Sequence, residues 1–210
     1  MGNNVVITIG REFGSGGREI GKKVADRLGI KFYDKELLQE AAKESGFCRE
    51  IFENQDEKPT NSFLYSLVMD TYSINGYSSA PFLDMPLNHK VFLAQFETIK
   101  KIAEKESCVI VGRCADYALA ENPNCINVFI HADKEFRTKR VAAELQVNES
   151  KAKDAIQKKD KQRASYYNYY TENRWGEAKN YDLCLNATLG REACADLIVA
   201  AAKAMQAAEK

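Results

Sequence analysis

The sequence predicts an α/β domain of three layers, α/β/α, on a five-stranded parallel sheet. Two observations carry this. Five short runs, at 5–9, 30–33, 108–112, 126–130 and 183–185, are β-branched or almost wholly apolar, the pattern of strands buried on both faces. Between them, apolar residues recur at helical spacing, so strands alternate with helices as they do when crossovers connect parallel strands. Composition agrees. Of 210 residues, 45% are hydrophobic and 29% charged, the balance of a globular chain, and we read 1–210 as a single domain.

The elements follow in order. Val5-Val6-Ile7-Thr8-Ile9 is a buried strand, and Gly14-Ser15-Gly16-Gly17 is a turn. Ile20, Val24 and Leu28 recur every fourth residue with charges between them, which predicts a helix over 17–28 terminated by Gly29. A second strand at 30–33 ends on Asp34, a suitable N-cap for a helix starting near Lys35. The stretch 46–88 breaks the rhythm: a polar run, an apolar helical run from Phe63, then a loop rich in Gly, Ser and Pro. We expect an insertion that sets acceptor specificity or joins two copies in a homo-oligomer. A helix over 89–105 presents Phe92, Phe96, Ile99 and Ala103 on one face. The remaining strands alternate with helices expected over 133–145, 149–170 and from Arg191 onward.

Several classes of function are disfavoured. Thirty Lys+Arg against thirty Asp+Glu leave no net charge, so neither nucleic acid nor membrane is expected as a partner. No run approaches the roughly 18 apolar residues of a membrane span, and the N-terminus lacks the features of a signal peptide. We expect a cytoplasmic protein whose six scattered cysteines are buried thiols. With two distant histidines and no C-x-x-C pair, no metal site is expected.

The chemistry is expected at the glycine turn. A glycine-rich turn between a strand and a helix presents bare backbone N–H groups, which together with the helix dipole attract phosphate; the alternative is a tight turn without ligand. The phosphate-loop pattern G-x-x-x-x-G-K-[ST] is absent. In the register that fits the turn, the lysine position falls on Gly17 or Arg18, and the Ser/Thr position on Arg18 or Glu19. Arg18 is a candidate surrogate for the lysine and Arg11 a second one, since guanidinium forks onto phosphate oxygens. Glu19 either assists a metal or solvates the helix start. Asp34 also matches the ribose-binding acid of a dinucleotide fold, but the third glycine of G-x-G-x-x-G would fall on Glu19.

The chain resembles the cytidylate kinase-like family of P-loop nucleoside monophosphate kinase folds. Residues Ile7 to Ile20 with Phe32-Tyr33-Asp34-Lys35-Glu36 look like its opening, and Val109 to Asp116 like its middle motif. Asp160 to Tyr167 look like its lid segment and Tyr181 to Asn186 like its last strand. The resemblance implies phosphoryl transfer from ATP with Mg2+ to a nucleoside monophosphate of the cytidylate kind or another small-molecule acceptor. It places the ATP phosphates on Gly14, Ser15, Gly16, Gly17, Arg18 and Glu19, and the acceptor on Asp34, Arg113 and Asp116. Cys114 stands where true cytidylate kinases have an acid after Gly-Arg. Arg18, Arg113 and Arg163 are the expected catalytic cations. The lid spans 148–175, with Lys159, Asp160, Lys161 and Arg163, and with Arg137 and Arg140 approaching from the preceding helix.

Plainer readings stand beside these. Arg113 reads equally as a surface ion pair, Arg137 and Arg140 as a solvated helix face, and the basic run 158–163 as a solvated charge run. Tyr166, Tyr167, Tyr169 and Tyr170 read as ring area buried against the core with wet hydroxyls, or as a stacking face for a base. His131 reads as a rim residue. The functional alternative to a kinase is a non-catalytic nucleotide-binding module with a degenerate phosphate loop.

Overall fold

The computed structural model describes residues 4–34, 36–37, 40 and 87–208. They form β1 (Val6–Arg11), α1 (Gly17–Leu28), β2 (Lys31–Tyr33), α2 (Leu87–Lys105), β3 (Cys108–Val111), α3 (Ala115–Ala118), β4 (Cys125–His131), α4 (Lys134–Leu145), α5 (Glu149–Thr171), β5 (Leu183–Asn186) and α6 (Arg191–Ala208). The insertion expected over 46–88 lies outside the described residues except for its last two positions, which open α2.

The five strands are parallel and ordered β2-β3-β1-β4-β5. Val6 on the central strand is in register with Cys108 of β3 and Cys125 of β4. In a dinucleotide fold β2 lies beside β1; here β3 takes that place, which removes the dinucleotide alternative.

Side chains alternate across the sheet with the strand period of two. Ile7 and Ile9 pack with Val109, Val111, Val128 and Ile130 under α1 and α6. Val6, Cys108 and Ile110 face the other way, under Ile99, Ile102 and Ala103 of α2 and Ala115 and Ala118 of α3. These strand positions are almost wholly buried, and each such aliphatic side chain contributes about 1.5–3 kcal/mol. Thr8, also buried, satisfies its hydroxyl by donating to Asn127 Oδ1 at 2.6 Å.

The expected helix over 17–28 is α1, and Gly29 closes it in the left-handed conformation, its N–H turned back onto the Ala25 and Asp26 carbonyls. The rings of the α5 tyrosines follow the plainer reading, but their hydroxyls are not wet: Tyr167 donates to Asp116, and the Tyr170 hydroxyl is buried. Tyr166, Tyr167 and Tyr170 are buried against Phe92 and Leu93 of α2, and the Tyr170 ring stacks on Phe92 at 4.0 Å. The thiol expectation needs one correction. Cys108, Cys114 and Cys194 are buried, but Cys125 is half-buried and Cys184 exposed, because β5 is an edge strand with one flank open. Burial pushes the Cys108 and Cys125 thiols up to about 12, so neither is a nucleophile at neutral pH.

Candidate functional site

The turn after β1 is a tight loop around a buried serine. Ser15 Oγ donates to the Glu12 carbonyl at 2.9 Å and accepts from the Gly17 N–H at 3.3 Å. Gly14 and Gly16 stand at φ 80° and 86°, a region side chains disfavour, and Gly16 is the N-cap of α1. The amides of Gly14, Gly16, Arg18 and Glu19 have no acceptor among the described residues. They sit at the positive end of a twelve-residue helix, which is anion-binding geometry.

The loop is fastened from α4 and α5. Phe13 N–H donates to Asp160 Oδ1 at 2.7 Å, and Asp160 Oδ2 accepts from Arg137 Nη1. Arg137 also approaches Glu12 Oε2 at 3.3 Å and donates from Nε to the Ala132 carbonyl at 3.2 Å. It is buried, so the solvated-face reading fails for Arg137: its side chain is the cross-strut between loop and helices. Arg140, partly buried, binds Glu19 together with Arg191 of α6. These bonds, that from Arg140 foremost, hold the Glu19 carboxyl below its usual range. Arg140 Nε is buried beside the loop with no partner among the described residues.

The second half of the site is built on the end of β3. Gly112, Arg113 and Cys114 take φ of 80°, 58° and 53° in succession. Two non-glycine residues there cost on the order of 1–3 kcal/mol each, a local strain of the kind found at functional positions. The turn sends Arg113 back under the sheet edge, where it donates to the Val111 carbonyl at 3.3 Å and to Asp34 Oδ1 at 2.9 Å. Arg113 is only 7% exposed, so the surface ion pair becomes a buried one. The other Asp34 oxygen accepts from Arg18 Nε at 2.6 Å. Both oxygens therefore go to guanidinium groups. Arg18 lies on the Asp34 side, over the Phe32 ring.

Between the end of β1, the turn after β3 and α5 lies a narrow pocket with a walled space of about 30 Å³, room for one water. Arg11, Arg113 and Arg163 line one part of it, and Asp116, Tyr167 and Tyr181 another. Arg163 Nη1 donates to the Arg11 carbonyl at 3.0 Å, and its guanidinium lies 5.6 Å over Phe13. Asp116 accepts from the Tyr167 hydroxyl at 2.5 Å. Burial raises its carboxyl above the ordinary value, and burial likewise raises the Tyr167 and Tyr181 phenols.

Sequence reading singled out most of these residues and the structure brings Arg11, Asp34, Arg113, Asp116, Arg137 and Arg163 to one edge of the sheet. It does not bring Lys159 and Lys161 there: both are exposed on the outer face of α5. Tyr181 and Trp175 as pocket walls, and Arg191 as a partner of Glu19, were not anticipated. The position of Tyr181 directly ahead of β5 was the available signal.

The raised Asp116 carboxyl makes a prediction. A carboxylate favoured in its protonated form by folding weakens the fold as pH rises past the unfolded value of 3.8. Asp116→Asn keeps an acceptor for Tyr167 and removes that charge. Its thermal midpoint at pH 7 should exceed that of the wild type, with the gap closing toward pH 3. An unchanged gap across the range would show that burial is not the cause.

A family model described as the cytidylate kinase-like family matches residues 6–189. The chain belongs to the cytidylate kinase-like family. A crystal structure of an uncharacterized protein from Eubacterium ventriosum ATCC 27560 is 33% identical, with a TM-score of 0.70, over 95% of this chain and 99% of that one. Shikimate kinase from Bacteroides thetaiotaomicron is 17% identical, with a TM-score of 0.52, over 92% of this chain and 96% of that one, a likeness of fold. No curated protein matches. The family and fold together make this a P-loop kinase-like protein, in which nucleotide-dependent phosphoryl transfer is the general chemistry.

Proposed function

We propose that the protein transfers the γ-phosphoryl group of ATP to a small phosphate-bearing acceptor, with a nucleoside monophosphate of the cytidylate kind as the first candidate. One observation carries this reading: the open amides that follow β1 and the buried Asp34–Arg113 pair beside β3 stand at the carboxyl ends of neighbouring parallel strands, where Arg11, Arg113 and Arg163 line one pocket. Phosphoryl transfer needs alignment and charge neutralisation more than covalent help, and this edge of the sheet is built for both. The loop of residues 14–19 holds the triphosphate through its open amides, those of Gly14, Gly16, Arg18 and Glu19, and Arg18, Asp34, Arg113 and Asp116 hold the acceptor. Arg137, Arg140, Asp160 and Arg163 fix α4 and α5 over the loop, and Lys159 and Lys161 add charge when α5 closes. The β–γ bridging P–O bond breaks, ADP keeps that oxygen, and an acceptor phosphate oxygen forms the new bond.

Magnesium is implied by the fold family. No group of three or more His, Cys, Asp or Glu side chains among the described residues could hold a metal, and the Ser15 hydroxyl is engaged within the loop. This fits an ion carried on the nucleotide's own phosphates and waters, a usual arrangement for magnesium in such sites. Bound there, it would offset phosphate charge. An ATP-consuming reaction and free thiols fit the reducing cytoplasm. No described helix is long and apolar enough to cross a membrane.

Calorimetric titration with ATP and magnesium should show one saturable site, and a transfer assay with CMP, dCMP and UMP should show turnover on at least one. No ATP binding would remove the reading. The second reading, a nucleotide-binding module without catalysis, is favoured by one feature: position 17 is glycine where the pattern has lysine. Tight ATP binding with no turnover on any acceptor would select it.

A further inference from the structure

We propose that Arg11 does the work of the missing lysine, through an exchange of positions within the loop. The inference rests on the ATP-dependent reading and names the residue that meets the phosphates. With Gly16 as the second glycine of G-x-x-x-x-G-K-[ST], the first glycine position is Arg11 and the lysine position is Gly17. The chain therefore has a cation where the pattern has glycine, and a glycine where the pattern has the cation.

The packing shows why the two changes belong together. A Cβ at position 17 would lie 2.7 Å from the Arg11 Cβ and 3.2 Å from the Ile130 Cβ, so the Arg11 stem already fills the space into which a residue-17 side chain would start. Further along the same side chain, a Cβ at position 112 would fall on Arg11 Nη1. Two glycines thus clear a path for one arginine: Gly17 under its stem and Gly112 under its guanidinium. Such backbone approaches tolerate no side chain without moving the neighbour. Arg163, bound to the Arg11 carbonyl, steadies the start of that path.

Arg11 lines one pocket with Gly112, Arg113 and Arg163, at the carboxyl ends of β1 and β3. In the proposed function the turn after β1 takes the donor and the turn after β3 the acceptor, and the Arg11 side chain reaches from Gly17 in the first to Gly112 in the second. A planar fork of N–H donors suits phosphate oxygens as well as an ammonium does, and it remains charged whatever its surroundings. Arg18, the nearer candidate by sequence, has its Nε on Asp34.

The test is an exchange series on the full chain: Arg11→Gly, Gly17→Lys, and both together, with Arg11→Met as a variant that keeps the stem. Binding of ATP with magnesium and of adenosine is measured by calorimetry, and folding by melting. Arg11→Met should weaken ATP by about ten- to a hundredfold, the range of a lost charge-assisted bond, and leave adenosine unchanged. Gly17→Lys alone should melt lower than the wild type. The double variant should recover ATP affinity to within about tenfold of wild type, because the lysine regains both its space and its role. ATP affinity unaffected in Arg11→Met would overturn the proposal, as would equal loss of ATP and adenosine. A double variant no tighter than Arg11→Gly would also overturn it. Failure of the wild type to bind ATP would instead defeat the functional reading; in that case Gly17→Lys melting no lower than wild type would overturn the steric half as well.

Discussion

Asp34→Ala should cost about 3–5 kcal/mol of folding stability and abolish phosphoryl transfer. The stability loss comes from the partner left behind. Arg113 is 5% exposed at its side chain and Asp34 11%, so the mutation takes the neutralising carboxylate from a guanidinium in a site that water barely reaches. At roughly 2–4 °C per kcal/mol for a chain of this size, the melting midpoint should fall by about 6–20 °C. The activity loss has a separate cause. Asp34 aims both Arg113 and Arg18 at the acceptor side, and both would lose their orientation. The double variant Asp34→Ala/Arg113→Met separates the two effects, since replacing a buried pair with apolar groups is often neutral for stability. It should melt close to wild type and stay inactive. A single Asp34→Ala melting within about 1 °C of wild type would mean the pair contributes nothing to the fold; a double variant with normal turnover would remove Asp34 and Arg113 from the acceptor site.

The architecture was largely legible because its determinants are local. Val5 to Ile9, but for Thr8, and Cys108 to Val111 are apolar at successive positions because both sheet faces are covered, and that pattern is visible without the fold. Gly16 and Gly29 bracket α1 because the caps demand left-handed backbone there. The order β2-β3-β1-β4-β5 was not legible: it depends on which strands meet across crossovers, and every strand reads alike. At the site the same division holds. Asp34 and Arg113 could each be singled out from short motifs, but they lie 79 residues apart, and their pairing appears only when β2 and β3 are set side by side. Arg137 and Arg140 stand three apart on α4, as the charges of a wet helix face would. Only packing against Glu12 and Asp160 shows that Arg137 is interior. The exchange of Arg11 and Gly17 was half legible. The pattern exposes the mismatch, but the reason for it is a contact between two Cβ positions.

Asp160→Ala should loosen the phosphate loop and raise the KM for ATP by about tenfold or more, while Lys159→Ala/Lys161→Ala should leave the fold untouched. Asp160 accepts from the Phe13 amide with one oxygen and from Arg137 with the other, so α5 holds the loop's backbone directly. Without it, the Phe13 N–H loses its acceptor and Arg137 keeps only Glu12 and carbonyls. An unsatisfied, partly buried donor and a half-neutralised guanidinium together cost about 1–4 kcal/mol. The loop amides would then be ordered by the nucleotide instead of before it, and that ordering cost appears as weaker ATP binding. Lys159 and Lys161 face solvent two residues along the chain and act only if α5 swings toward the phosphates. Their double substitution should shift the melting midpoint by less than about 1 °C, as exposed charges do, and should lower turnover if the helix closes as a lid. Unchanged turnover in the double lysine variant, beside a raised KM in Asp160→Ala, would make α5 a fixed buttress of the loop. Wild-type KM in Asp160→Ala would mean that the loop keeps its shape without α5.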